Sequence, residues 1–126
     1  MNGRILYIED NDQNFYLVQF ILASAGYEVI RARDGREGVE MAKSVRPRLI
    51  LLDIQLPVMD GYETARELKK DPLNSGTLIV ALTSYAMAGD REKAISAGCM
   101  GYIEKPINPK TFTGQIQEYL HSTSSE

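Results

Sequence analysis

Leu49-Ile50-Leu51-Leu52-Asp53 sets four apolar residues in a row and closes them with an acid. Nothing polar alternates within it, so a strand here is covered on both faces, as a central strand of a parallel sheet is. Leu78-Ile79-Val80-Ala81-Leu82 repeats the pattern and runs into Thr83-Ser84. Working outward, Ile5-Leu6-Tyr7-Ile8 is a third short apolar run and ends in Glu9-Asp10, while residues 100–104 lead into Glu104-Lys105-Pro106. Tyr27 to Ala32 also favours a strand, and its mixed polarity fits an edge position.

The segments between these runs carry helical periodicity. Val18, Ile21, Leu22 and Ala25 share one helix face, stopped by Gly26, and Gly38, Met41, Ala42 and Val45 share another, ended near Pro47. Further helices are predicted over about 61–70, 87–97 and 110–121, the last with Phe112, Ile116, Tyr119 and Leu120 on one face. Five strand-helix repeats predict an α/β fold: an open, doubly wound, five-stranded parallel sheet with helices on both faces, since right-handed crossovers need a helix between neighbouring parallel strands. Five strands are too few for an eight-fold barrel.

At 126 residues, with 44% apolar and 25% charged residues and no linker or repeat, the chain reads as one domain over residues 1–121, followed by a flexible polar tail at 122–126. Its longest apolar runs are far shorter than the ~20 residues that span a bilayer. Met1-Asn2-Gly3-Arg4 lacks the apolar stretch of a secretory signal, so no membrane association and a cytoplasmic location are expected. A single cysteine, Cys99, and a single distant histidine, His121, exclude an internal disulfide and a Cys/His metal site. Net charge is -3 and the basic residues are scattered, which disfavours direct nucleic-acid binding.

Open α/β sheets bind ligands beyond the carboxyl ends of their strands, where strand order reverses. The residues at those ends are Glu9 and Asp10, Asp53, Thr83 and Ser84, and Glu104 with Lys105. If the first and third strands are neighbours, three carboxylates converge, and each like-charged pair at ~5 Å costs roughly 3 kcal/mol at an effective dielectric of about 20. A divalent, oxygen-loving cation is the simplest compensation, and magnesium in particular keeps positions open for phosphate oxygens. Lys105 supplies the remaining positive charge. A carboxylate nucleophile, a metal site and donors for transferred oxygens make up an inventory for phosphoryl transfer to an aspartate.

In their order and spacing, Ile8-Glu9-Asp10-Asn11, Leu51-Leu52-Asp53-Ile54 with Leu56-Pro57-Val58-Met59-Asp60-Gly61, Ala81-Leu82-Thr83-Ser84, and Tyr102-Ile103-Glu104-Lys105-Pro106 resemble the receiver domain of two-component response regulators. The resemblance covers residues 3 to 121. Asn14 and the stretch from Ala81 to Met87 are most similar to the DivK-like stand-alone regulators and to the receivers of hybrid kinases. It implies a flavodoxin-like strand order 2-1-3-4-5 and a phosphoacceptor at Asp53. It also implies magnesium, or manganese in its place, held by Asp10, Asp53 and the backbone carbonyl of Gln55, with Glu9 acting mainly through water. Thr83 and Lys105 would contact the phosphoryl oxygens, Thr83 and Tyr102 would form the switch, and the Lys105-Pro106 bond would be cis. The implied phosphodonor is a sensor histidine kinase or a histidine phosphotransferase. A downstream protein would read the face formed by the fourth helix, fifth strand and fifth helix, and the only catalysis implied is self-phosphorylation and autodephosphorylation.

Several residues allow a plainer reading. Pro57 and Gly61 either shape a turn and start a helix or place the pocket loop. Tyr102 is expected to bury its ring and keep its hydroxyl near water. Cys99 reads as a small buried hydrophobe and His121 as a solvated end residue, while Tyr85 and Met87 are partner contacts or helix packing. A small phosphatase of the haloacid dehalogenase type also uses an aspartate and magnesium, but it needs a carboxylate two residues after the nucleophile, where Gln55 stands. A flavin or nucleotide module would need an anion nest where Glu9-Asp10-Asn11-Asp12 lies. A receiver that serves only as a scaffold and is never phosphorylated is the remaining alternative.

Overall fold

Strands and helices alternate along the chain of the computed structural model, which describes residues 3–84 and 89–124. They run β1 (Gly3–Ile8), α1 (Asp12–Ser24), β2 (Tyr27–Ala32), α2 (Gly35–Val45), β3 (Leu49–Asp53), α3 (Gly61–Lys70), β4 (Leu78–Thr83), α4 (Asp90–Ser96), β5 (Gly101–Glu104) and α5 (Phe112–Ser124), with a 3-10 turn at Pro72–Asn74 before β4. All strand pairs are parallel and their order is β2-β1-β3-β4-β5, so the order reverses between β1 and β3.

Strand alternation divides the core between two faces. Ile5, Tyr7, Leu49, Leu51, Val80, Leu82 and Ile103 pack with Phe15, Val18, Ile21 and Leu22 of α1 and with Phe112, Ile116 and Leu120 of α5. Leu6, Ile8, Ile50, Leu52, Ile79 and Ala81 face the other way, onto Ala42 of α2, Ala65 and Leu68 of α3, and Ala94 of α4. Every residue of β3 is buried, whereas β2 exposes Glu28 at the sheet edge. Cys99 is buried in the second cluster, which pushes its thiol up to about 12.

Side-chain caps start three of the helices: Asn11 accepts from Asn14 N at 2.8 Å, Asp34 from Glu37 N at 2.8 Å, and Asp60 from Glu63 N at 2.9 Å. Arg46, left-handed at φ 52°, ends α2 one residue before Pro47. The expected helix over 87–97 is shorter among the described residues: α4 starts after Gly89, whose φ of 91° suits a residue without a side chain. Residues 85–88, and with them the expectation for Tyr85 and Met87, lie outside the described residues. The last helix starts at Phe112 and not near 110, because Asn108 forms the preceding turn, accepting from Lys110 N at 2.9 Å through its side chain and from Phe112 N at 2.9 Å through its carbonyl. It continues to Ser124, three residues past the predicted end. No helix among the described residues is long and apolar enough to cross a membrane.

Candidate functional site

Sheet register assembles the site. Ile8 pairs with Leu52, so Glu9 follows at the level of Asp53; Asp53 pairs with Leu82, so Thr83 stands one step beyond; Thr83 pairs with Glu104, and Lys105 comes next. Residues spread over almost a hundred positions therefore meet at the carboxyl ends of β1, β3, β4 and β5. Oxygens of Glu9, Asp10 and Asp53 lie within 4.8 Å of one another, Glu9 and Asp53 buried and Asp10 exposed.

Lys105 bridges the two buried acids, its Nζ 3.3 Å from Glu9 Oε1 and 3.2 Å from Asp53 Oδ2. Its backbone N–H donates to the Thr83 carbonyl at 2.7 Å, and its peptide bond to Pro106 is cis. The backbone N–H of Gln55 donates to Asp53 Oδ1 at 3.0 Å. Even so, burial and the neighbouring Glu9 charge outweigh Lys105 and this hydrogen bond, and the Asp53 carboxyl is pushed up to about 6. At neutral pH it is ionised but poorly neutralised, the condition of a carboxylate that gains from a metal ion. Three carboxylates form a hard, all-oxygen donor set, which fits Mg2+.

Gly61 is where α3 starts, and it also lets the helix press on the acceptor strand. A Cβ there would lie 2.6 Å from Ile54 Cα and 2.8 Å from the Asp53 carbonyl oxygen. Glycine here starts the helix, as the plainer sequence reading had it, and also permits this close approach. The loop before it contains Val58 at φ 70°, a backbone conformation that β-branched residues rarely adopt, and the residue is 78% exposed.

Two further residues of this site, Tyr7 and Arg31, were passed over by the sequence reading, as was the side-chain role of Gln55. Tyr7, fully buried in β1, donates its hydroxyl to Glu9 Oε1 at 2.8 Å, and burial together with the Glu9 charge holds the phenol protonated. Glu9 directly follows β1 and continues its pairing with β2, two residues after Tyr7 and hence on the same face, a spacing that could have revealed the contact. The Gln55 side chain spans from the loop after β3 to the end of β4, donating to Thr83 Oγ1 at 3.0 Å and accepting from Ser84 N at 3.3 Å. Arg31, at the end of β2, donates to the Glu9 carbonyl at 3.1 Å, pairs with Asp12 at 2.8 Å and covers the Phe15 ring at 4.9 Å, tying down the start of α1.

One expectation is corrected. The Tyr102 hydroxyl is not near water: it is buried and faces Thr83. His121 lies with Met100, Gln115 and Tyr119 beside the start of β5, away from the carboxyl ends of the strands.

A doubly wound sheet in order 2-1-3-4-5, carrying an acidic trio and a lysine at its switch point, defines the phosphoryl-receiving class of signalling domains. The chain belongs to the response regulator receiver domain family, whose model matches residues 5–117. It is similar to the polar-differentiation response regulator DivK of Brucella anthropi, 40% identical over 120 residues that cover 95% of this chain and 98% of that protein. Among solved structures it is similar to the receiver domain of a Pseudomonas aeruginosa sensor histidine kinase with magnesium coordinated in its active-site cleft (TM-score 0.87, 35% identity, 94% of this chain and 98% of that one). It is likewise similar to a CheY-like receiver protein of Methanospirillum hungatei (TM-score 0.89, 32% identity, 97% and 96% covered). The chain is thus a DivK-like receiver of two-component signalling.

Proposed function

We propose that Asp53 accepts a phosphoryl group from a phosphohistidine on a sensor histidine kinase or histidine phosphotransferase. A carboxylate oxygen of Asp53 attacks phosphorus as the N–P bond breaks, the new O–P bond forms, and the departing imidazole takes up a proton. Asp10, Asp53 and the Gln55 carbonyl are the residues to hold Mg2+, with Glu9 acting through water. Bound there, the ion would neutralise the carboxylates and the phosphoryl oxygens; Mn2+ would suit the same oxygen donors. Lys105, already between Glu9 and Asp53, then turns to the new dianion, and Thr83 donates to one of its oxygens.

The observation that carries this reading is the meeting of Glu9, Asp10 and Asp53 within 4.8 Å, with Lys105 bridging two of them. Readout follows from Tyr102, whose hydroxyl faces Thr83. Tyr102 also lines a groove of about 480 Å³ with Arg91, Glu104, Asn108, Thr111 and Gln115. Movement of Thr83 toward a phosphoryl oxygen changes what Tyr102 packs against, and the α4-β5-α5 face presents that change to a downstream protein. The proposed compartment is the cytoplasm, where such donors and targets meet.

Incubation with acetyl phosphate and Mg2+, followed by intact-protein mass measurement, is expected to add one phosphoryl group. Chelation of the metal abolishes the addition, and so does Asp53→Asn. Undiminished labelling of Asp53→Asn overturns the assignment.

A further inference from the structure

Glu9 is the most heavily tethered carboxylate in the site. Its Oε1 accepts from the Tyr7 hydroxyl at 2.8 Å and from Lys105 Nζ at 3.3 Å, and its Oε2 accepts from Asn11 N at 3.1 Å. An ionised carboxylate offers about four lone-pair positions, so three of Glu9's are already taken. Asp10, by contrast, is exposed. Two ligands on one magnesium ion sit about 3.0 to 4.2 Å apart when each bond is about 2.1 Å. Oxygens of the three acids lie within 4.8 Å of one another, close to that spacing, so what fixes each carboxylate decides whether it becomes a ligand. Tyr7 holds Glu9 Oε1 in place, because its ring is fully buried and stacked on Phe15 at 5.9 Å.

We propose that Tyr7 is a positioning residue that sets cation choice: by holding Glu9 Oε1 back beside Lys105, it keeps this carboxylate from becoming a direct ligand. Few protein oxygens then remain for the ion. That suits Mg2+, which keeps several waters and binds through one or two carboxylates, and disfavours Ca2+, which takes six to eight oxygens. With Glu9 released, the site gains an anionic ligand that benefits the larger ion more. The inference rests on the proposed magnesium site and adds to it the side chain that governs selectivity.

The test is calorimetric titration of the metal-free full chain with MgCl2 and with CaCl2 at pH 7.5, reading the ratio of the two dissociation constants. Tyr7→Phe keeps the ring and removes only the hydroxyl. It is expected to move the ratio toward Ca2+ by about tenfold, the size of one hydrogen bond to a charged group. A shift of less than about threefold overturns the proposal. In a Glu9→Gln background the same hydroxyl deletion is expected to leave the ratio unchanged; an equal shift there overturns it too, since Tyr7 would then act without Glu9. Glu9→Asp, too short to keep the hydroxyl contact yet still anionic, shifts the ratio in the same direction and covers the case of a Tyr7 variant that fails to fold. Wild-type protein that binds neither ion overturns the metal site along with the role of Tyr7. Acetyl phosphate labelling at Asp53 separates that outcome from failure of the selectivity alone.

Discussion

Asp53→Asn is expected to make the metal-free protein more stable, although it removes the proposed acceptor. The substitution keeps shape and keeps an oxygen for the Gln55 N–H, now 3.0 Å from Asp53 Oδ1. What it removes is a charge that burial and Glu9 render unfavourable, pushing the carboxyl from its ordinary 3.8 to about 6. In the unfolded chain the group ionises near 3.8, so between about pH 4 and 6 the folded state holds a proton that the unfolded state has lost, and stability falls as pH rises through that window. Above it the ionised Asp53 costs about 3 kcal/mol of folding free energy, the equivalent of the difference between those two values. Urea unfolding in EDTA at pH 7.5 should therefore show the variant's midpoint higher by about 1.5 M, for a slope near 2 kcal/mol/M. The advantage should shrink to a small remnant at pH 4. Millimolar Mg2+ at pH 7.5 should narrow the gap, since the wild type gains the binding free energy of the ion. A variant no more stable than wild type in EDTA at pH 7.5 would refute the reasoning, and so would an advantage that persists unchanged at pH 4.

Asp10→Asn should weaken Mg2+ binding by at least about tenfold, measured by calorimetry, because it removes an anionic donor from the trio. Moving a two-state domain from 1:99 to 99:1 takes about 5.5 kcal/mol, more than the roughly 1.5 to 3 kcal/mol of a single hydrogen bond to a charged group. Thr83→Ala should accordingly still be labelled at Asp53 yet lose part of the phosphorylation-dependent change in affinity for a downstream partner, while Lys105→Ala loses most of it; both follow from partner titrations with and without acetyl phosphate. Val58→Asn should stabilise the protein by about 1 kcal/mol in thermal unfolding, since asparagine tolerates the left-handed conformation that valine holds here.

The two central strands could be read from sequence because covering both faces leaves no room for polar alternation, and β3 matches the apolar run and its closing acid residue for residue. Helix α3 was equally legible, its predicted span of about 61–70 matching Gly61–Lys70. The acids, the threonine and the lysine stood out because they interrupt apolar strands at one end. Tyr7 did not, since a tyrosine in a strand reads as core, and its hydroxyl partner emerges only when strand geometry aligns it with Glu9. The Gln55 bridge to Thr83 spans 28 positions of sequence and depends on the β3-β4 register, which no local pattern encodes. Nor does composition indicate which way the Tyr102 ring points.

Asp53 closes the strand that lies between β1 and β4, with Ile54 N continuing the ladder to the Leu82 carbonyl at 2.9 Å. In hydrogen-exchange terms, amides in that position open only when the whole sheet does, whereas segments with a single neighbour open at lower free energy. Lys105, leaving the edge strand β5, belongs to the second kind. The proposed acceptor is thus anchored on an interior strand where slow exchange is expected, and the group that responds to its charge leaves an edge strand where faster exchange is expected. A modification at Asp53 can then redistribute protection at the rim of the sheet while the amides of β3 keep the exchange rates of the unmodified protein.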